Sequence, residues 1–421
     1  MNYKEVLDSL KDLVYKWDNI QLICDNIIFA AVLWESSDIH IEPLSSYVRL
    51  RYRLDGELRE ILEYQSFLHQ WIVARFKILS ELKIDESRIP QDGRISRVIE
   101  WKSLDLRVST LPTVHGEKIV MRIVDKSKKI PKLTELWIEG KNLRLVKKAL
   151  SLPNGVILTS WPTWSGKSTT LYSALTLLNK IWVNIMTLED PVENQVDGIN
   201  QSQIKPAIWY SFANWLRTAL RQDPDIIMVW EMRDKETVDI AIEASLTWHL
   251  VLSTIHTNSA SETLTRLLNM WVQPFLLPAS INVIIAQRLI KKLCKNCKEK
   301  ISLQEIWNDA LNNVKNAIAL TDKKELTERV WDILKNPVFY KPVWCSECEG
   351  TGYKWRVWLY EALEITKWIK QMILRWESAM NINTQAIKDG MVSLEQDGVM
   401  KALRWETSLE EVYRVAKSQK W

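Results

Sequence analysis

Lys167, Ser168 and Thr169 follow a tight polar loop, and together they suit a triphosphate. A lysine there would neutralise β- and γ-phosphate charge, and the Ser168 hydroxyl would ligate Mg2+. A helix starting near residue 167 would add its N-terminal amides. The whole segment is Ser160-Trp161-Pro162-Thr163-Trp164-Ser165-Gly166-Lys167-Ser168-Thr169. It lies between the apolar run Val156-Ile157-Leu158-Thr159 and a helical pattern of Leu171, Ala174, Leu175 and Leu178. With glycine in place of Trp161 it reads GxxxxGK[ST], a Walker A loop in its strand–loop–helix context, and residues 161–169 form the nucleotide cradle. Such a cradle needs backbone that reaches φ > 0 and comes close to oxygen, which glycine allows and tryptophan does not. Read literally, the same segment is a serine-rich helix cap.

Three further segments carry polar residues just past an apolar strand, the place where open α/β sheets bind ligands. Residues 183–188 run into Glu189-Asp190-Pro191-Val192-Glu193, residues 225–229 into Trp230-Glu231-Met232-Arg233-Asp234, and residues 249–254 into Ile255-His256-Thr257-Asn258. Glu231 has the Walker B position, acting on the Mg2+ shell or on the attacking water. Glu189 and Glu193 are alternative water activators, and His256 could sense the γ-phosphate. Each alone also reads as a helix cap or a structural histidine; four such segments in one chain make coincidence a poor account. Arg217 and Arg221, one turn apart on a 211–222 helix, could supply positive charge to a neighbouring subunit's nucleotide. So could Arg49, Arg51 and Arg53 on one face of a hairpin. A solvated basic face is the equal alternative.

Cys294-x2-Cys297 and Cys345-x2-Cys348 make a four-thiolate set suited to tetrahedral Zn2+ in a closed, structural site. A redox pair is the alternative, but two CxxC units favour metal. Cys24 stands alone and reads as core.

Behind these residues stands a chain of 421 residues, long enough for two or three domains. Its net charge of +4 gives no case for a nucleic-acid coat or a polybasic tether. No signal peptide and no run of about 18 apolar residues is found, so the sequence predicts a soluble cytosolic protein. One number is abnormal: 22 Trp stand against 11 Gly. At roughly 7% glycine, a chain of this length would carry about 29. The glycine shortfall nearly matches the tryptophan excess. The reading is that the gene uses UGA for glycine and that many tryptophan letters stand where glycine belongs.

The periodicities predict the elements that position the chemistry. Residues 1–35 read as helical, 37–43 as a strand, 48–54 and 57–62 as a hairpin about Asp55-Gly56, and 66–84 as helical. A turn is expected at 90–94 and strands at 104–110 and 118–124. This gives an α+β domain over residues 1–125 and a polar linker over 126–139. Strands at 155–159, 183–188, 226–229 and 250–254 alternate with helices and predict an α/β core with a mostly parallel sheet over 140–290. The cysteine pairs flank an insertion within 291–350, and residues 351–421 are expected to be a helical C-terminal part.

From about residue 34 the chain resembles the secretion ATPases of type II secretion and type IV pilus assembly. The stretches that carry the likeness are SDIHIEP (37–43), VRLRYRLDG (48–56), IPQDGRI (89–95), LDLRVSTLPT (104–113), GEKIVMRIVD (116–125), TLEDPVE (187–193), LRQDPDII (220–227), HLVLSTIHTN (249–258), AQRL (286–289) and the tetracysteine pattern. The family has glycine at Trp161, Trp164, Trp209, Trp215, Trp230, Trp248, Trp271, Trp344, Trp355, Trp358 and Trp405, and at Trp34 and Trp101. Forcing a large side chain into such sites costs roughly 1–3 kcal/mol each. A dozen would exceed a total stability of about 5–15 kcal/mol.

The resemblance implies a RecA-like P-loop core, a smaller PAS-like N-terminal domain, and a homo-hexamer that binds ATP, Mg2+ and Zn2+. It implies a cytoplasmic motor at the inner face of the membrane, acting on an inner-membrane platform protein to push pilin subunits into a fibre. Membrane association would run through partners, with no direct nucleic-acid contact. The tetracysteine pattern favours an assembly or secretion motor over a retraction motor, and the short stretch before SDIHIEP implies that the longer docking module of many relatives is absent. Two other classes stand beside this reading: an inactive scaffold, if the tryptophans are real, and a related conjugation or DNA-uptake ATPase.

Overall fold

The computed structural model describes residues 3–17, 19–127, 129–160, 167–204, 211–301 and 338–416. Residues 161–166 of the cradle, the side chain of Lys167, Trp209 and most of the insertion between the cysteine pairs lie outside the described residues. Two compact units divide the chain, residues 1–129 and 130–421. No helix among the described residues is long and apolar enough to cross a membrane.

In the first unit, helices α1 (Tyr3–Lys16), α2 (Ile20–Leu33) and α3 (His69–Leu79) accompany six strands. The strands are β1 (Asp38–Pro43), β2 (Tyr47–Leu54), β3 (Glu57–Gln65), β4 (Gln91–Ile99), β5 (Lys102–Thr113) and β6 (Gly116–Asp125). They form one antiparallel sheet in the order β3-β2-β1-β6-β5-β4. Strict alternation on β2 buries Val48, Leu50, Tyr52 and Leu54 against the helices. Its other face carries Arg49, Arg51 and Arg53.

The turn expected at 90–94 is strand instead. Pro90-Gln91-Asp92-Gly93 has turn composition, but Gln91 pairs with Thr110 and the ladder runs on to Ile99 opposite Lys102. A partner strand outweighs local propensity here. The helix expected over 66–84 shortens to a 3-10 turn at 66–68 followed by α3.

The second unit contains α4 (Gly140–Leu150), α5 (Lys167–Leu178), α6 (Phe212–Ala219), α7 (Lys235–Leu246), α8 (Ala260–Asn269), α9 (Leu277–Ser280), α10 (Lys367–Leu374), α11 (Ala379–Lys388), α12 (Leu394–Leu403) and α13 (Leu409–Ala416). Its main strands are β7 (Gly155–Ser160), β8 (Ile185–Glu189), β9 (Asn200–Gln203), β10 (Ile226–Val229), β11 (Leu250–Ile255), β12 (Ile281–Leu293) and, after the insertion, β15 (Tyr353–Glu364). The sheet order is β15-β12-β7-β11-β10-β8-β9, parallel except for the β12–β15 pair. β7, β10 and β11 are buried at every position, as parallel strands covered on both faces must be. The segment 353–364, expected to open a helical part, is the long strand β15; its residues 359–363 are buried at every position, and a strand covered on both faces lacks the burial alternation that would tell it from a helix. A short pair, β13 (Glu299–Ile301) with β14 (Phe339–Lys341), closes the base of the insertion. Leu133, Leu136 and Ile138, within the stretch read as a polar linker, are buried in this unit's core.

Candidate active site

Register brings the chemical segments to one edge. Ile255 lies beside Ser160, Ser253 beside Val229, and Val229 beside Leu188. The carboxyl ends of β7, β11, β10 and β8 therefore finish together. Ser160 ends β7, and its hydroxyl donates to the Thr257 carbonyl at 2.9 Å. α5 starts at Lys167, so Ser168 sits in the first helical turn, where unpaired amides and the helix dipole favour anions.

Glu231 leaves the end of β10 and is 6% exposed. The Met232 amide donates to the Thr254 carbonyl at 2.9 Å, which fixes the loop beside β11. Glu231 Oε1 lies 3.1 Å from His256 Nε2, and Oε2 accepts from Arg233 Nε at 2.7 Å. Arg233 also stands 3.8 Å from the Asp190 carboxylate. Carboxylate, imidazole and guanidinium thus share one patch while His256 stays open to solvent. Hydroxyl and carboxylate oxygens are the hard donors that Mg2+ prefers, and Ser168 at the start of α5 and Glu231 at the end of β10 are residues of that kind.

Glu189 has a different setting. It is fully buried, and its carboxylate accepts from Tyr172 Oη, from Thr187 Oγ1 at 2.7 Å and from Gln201 Nε2 at 2.9 Å. Burial raises its pKa against the pull of these hydrogen bonds. Tyr172 Oη also accepts the amides of Glu193 and Asn194 at 3.2 and 3.3 Å. Gln201 donates onward to the Asn194 carbonyl at 2.9 Å. The acidic loop is therefore stapled to α5. On the far side of α5, buried Thr170 donates to Gln287 Oε1 at 2.8 Å, on β12.

Sequence reading had assigned no role to Tyr172, Gln201, Gln287 or Arg233. Arg233 within the polar run after residues 225–229, and Gln287 within AQRL, were the signals available.

Arg217 bonds Glu236 Oε1 at 2.5 Å, and Arg221 Nη1 donates to the Arg217 carbonyl at 3.0 Å. Their bonds stay on α6 and α7 rather than reaching the Glu231 patch. In the first unit, Arg49 and Arg51 bond Glu42 at 3.2 and 2.8 Å, and Lys118 joins it at 2.8 Å. Burial would raise the Glu42 pKa, but the hydrogen bonds from Arg51 and Lys118 prevail and hold it at about 2.

The four cysteine Sγ atoms lie within 4.8 Å of one another, with Cys294–Cys345, Cys297–Cys348 and Cys345–Cys348 at 3.8, 3.6 and 3.6 Å. A tetrahedron with about 2.3 Å metal–sulfur bonds has S···S edges of about 3.8 Å, so the set fits Zn2+. Burial opposes ionisation of Cys348, yet the amides of Cys345 and Gly352 donate to its sulfur and bring its pKa to about 6.

Residues 16–414 match the family described as Type II/IV secretion system protein. Over 394 residues the chain is 44% identical to the type IV pilus assembly ATPase PilB of Pseudomonas aeruginosa, covering 93% of this chain and 67% of that one. It is 38% identical over 415 residues to the type II secretion system protein E of Aeromonas hydrophila, covering 98% and 79%. The fold is shared with the Legionella pneumophila ATPase DotB, at TM-score 0.66, 19% identity and coverage of 94% and 96%. It is also shared with the pilus retraction motor PilT, solved with bound ADP, at TM-score 0.59, 23% identity and coverage of 94% and 97%. With these matches beside the convergent strand ends, the chain belongs to the type II/IV secretion system protein family.

Proposed function

We propose that this chain is the ATPase of a hexameric cytoplasmic motor that drives pilin or pseudopilin assembly, in a pilus or in a secretion machine. The observation that carries the reading is the Glu231–His256–Arg233 patch at the carboxyl edge of the sheet, the edge at which β7 ends before α5. Lys167 and the α5 amides bind the phosphates, and Ser168 with the carboxylate edge would hold Mg2+, which would supply positive charge against the phosphates. Glu231 orients the attacking water and takes its proton, with His256 and Arg233 fixing the two carboxylate oxygens. Glu189 holds the acidic loop in place and leaves Glu193 nearer solvent. Arg217, Arg221 and the arginines of β2 act across a subunit boundary. Cys294, Cys297, Cys345 and Cys348 hold a structural Zn2+. The motor works at the inner face of the membrane through a platform protein.

The supporting experiment measures ATP hydrolysis and sedimentation of the protein isolated from its own cells, beside the Lys167→Ala variant. Hexamers that hydrolyse ATP, with activity lost in Lys167→Ala, are the expected result. Failure of the native protein to hydrolyse ATP sinks the reading and leaves an inactive scaffold.

A further inference from the structure

Among the described residues, fourteen non-glycine positions have φ between 44° and 70°, and eight of them are tryptophan. Left-handed backbone places Cβ against the following carbonyl oxygen, so single glycines hold such positions and bulky residues avoid them. Tryptophan has no side-chain hydrogen bond to its own backbone that would excuse it.

The local motifs show what these positions are built for. α8, α10 and α12 end alike. The residue after the cap, Trp271, Trp376 or Trp405, donates its amide to the carbonyl of Leu268, Ile373 or Ala402. The next amide, of Val272, Glu377 or Glu406, returns to the carbonyl of Leu267, Met372 or Lys401. This is the Schellman arrangement, whose left-handed residue is usually glycine. α11 ends in the same pair of bonds with Gly390 as the left-handed residue, while α2 and α3 close the same way on Glu35 and Glu81, whose side chains carry no bulky ring.

Hairpins give a second comparison inside the molecule. The β2–β3 turn is Asp55-Gly56 with φ of 48° and 91°. The β4–β5 turn is Glu100-Trp101 with φ of 44° and 64°. Both are two-residue loops with φ > 0 at both centres, which favour glycine in second place. Trp101 is 97% exposed, so its indole gains no burial. Trp248 and Trp271 are exposed too, at 77% and 75%. On β15, Trp355 has φ 68° beside the register shift at Lys291–Leu293, the place of a glycine in a bulge.

We infer that the native protein carries glycine at positions 17, 101, 137, 248, 271, 355, 376 and 405. One codon, UGA, read as glycine by the organism, accounts for all of them. Positions 17, 137 and 376 come from the backbone alone, because the sequence resemblance did not mark them. The same reading makes positions 161 and 164 glycine. The inference stands apart from the proposed activity, since it rests on dihedral angles away from the nucleotide edge.

Peptide sequencing by mass spectrometry of the protein from its own cells tests it, together with the gene's codons. Glycine in the native peptides, with UGA codons at these positions, is expected. Tryptophan at positions 101, 271, 376 and 405 in native peptides, or UGG codons there, overturns the inference. A second test compares the literal chain, made from a synthetic gene, with a chain carrying Trp101→Gly, Trp271→Gly, Trp376→Gly and Trp405→Gly. The glycine chain is expected to melt cooperatively at the higher temperature. A literal chain that is equally or more stable counts against the assignment.

Discussion

Tyr172 donates its phenol hydrogen to the buried carboxylate of Glu189 and accepts the amides of Glu193 and Asn194 with the same oxygen. One side chain of α5 thereby ties the helix that follows the phosphate loop to the loop that follows β8. A shift of α5 would reach the acidic loop through these three hydrogen bonds.

Tyr172→Phe removes the hydroxyl and leaves two amides and one carboxylate oxygen short of a partner. Losing such a buried hydrogen bond costs about 1–3 kcal/mol. The expected kinetic outcome is a lower kcat with KM for ATP little changed. Glu189 also loses a bond that pulls its pKa down, so the acid limb of the rate profile moves to higher pH. Steady-state assays across pH check this; an unmoved profile with unchanged kcat rejects the positioning role.

Glu231→Gln keeps shape but not the proton-accepting charge. Loss of a positioned general base lowers turnover by about 10²–10⁴-fold. With Lys167 and the α5 amides as the proposed phosphate binders, nucleotide affinity is expected to stay close to that of the parent. A fluorescent-nucleotide titration beside a phosphate-release assay separates the two; tight loss of binding instead would place Glu231 in the cradle.

The cysteine set predicts stoichiometric zinc by elemental analysis. Chelation, or Cys348→Ser, removes on the order of 10 kcal/mol of local folding energy. Residues 294–301 and 338–352 are then expected to become protease-sensitive while the parallel sheet keeps its fold. A metal-free protein that resists protease to the same degree would rule out a structural zinc.

Glu42 gives the first unit a pH dependence of known sign. Its carboxyl is held at about 2 in the fold, below its ordinary 4.5. A depressed acid stabilises the fold above its unfolded pKa, and that contribution fades as pH falls from about 4.5 toward about 2. Glu42→Gln is expected to cost on the order of 2–3 kcal/mol at neutral pH and progressively less in acid. Chemical denaturation at pH 7 and pH 3 measures the difference; a constant gap would show that the Arg51 and Lys118 bonds do not act through charge.

Much of this site is legible in the sequence because its signals are local. A lysine and serine at the start of an amphipathic helix, a carboxylate after four apolar residues, and cysteines spaced by two each report a strand end, a helix start or a knuckle from a few neighbouring residues. The same locality explains the order of the parallel strands β7, β8, β10 and β11 along the chain, and the face shared by Arg49, Arg51 and Arg53. Locality also marks the limit. Gln91–Ile99 looks like a turn until β5 pairs with it, and β12 and β15 hide because a strand covered on both faces has no alternating stripe.

Tertiary structure alone decided which acid does what. Glu189 and Glu231 both follow apolar strands, yet one is sealed beneath Tyr172 and Gln201 while the other meets His256 and Arg233 at the rim. That difference depends on residues up to twenty-five positions away, brought close by parallel pairing, and burial sets both hydrogen bonding and proton affinity. The φ values at the tryptophan positions belong to the same class of fact. Composition shows that glycine is short and the resemblance marks Trp101, Trp271 and Trp405; positions 17, 137 and 376 come only from the left-handed backbone of the folded chain, because a dihedral angle is set by how an element closes.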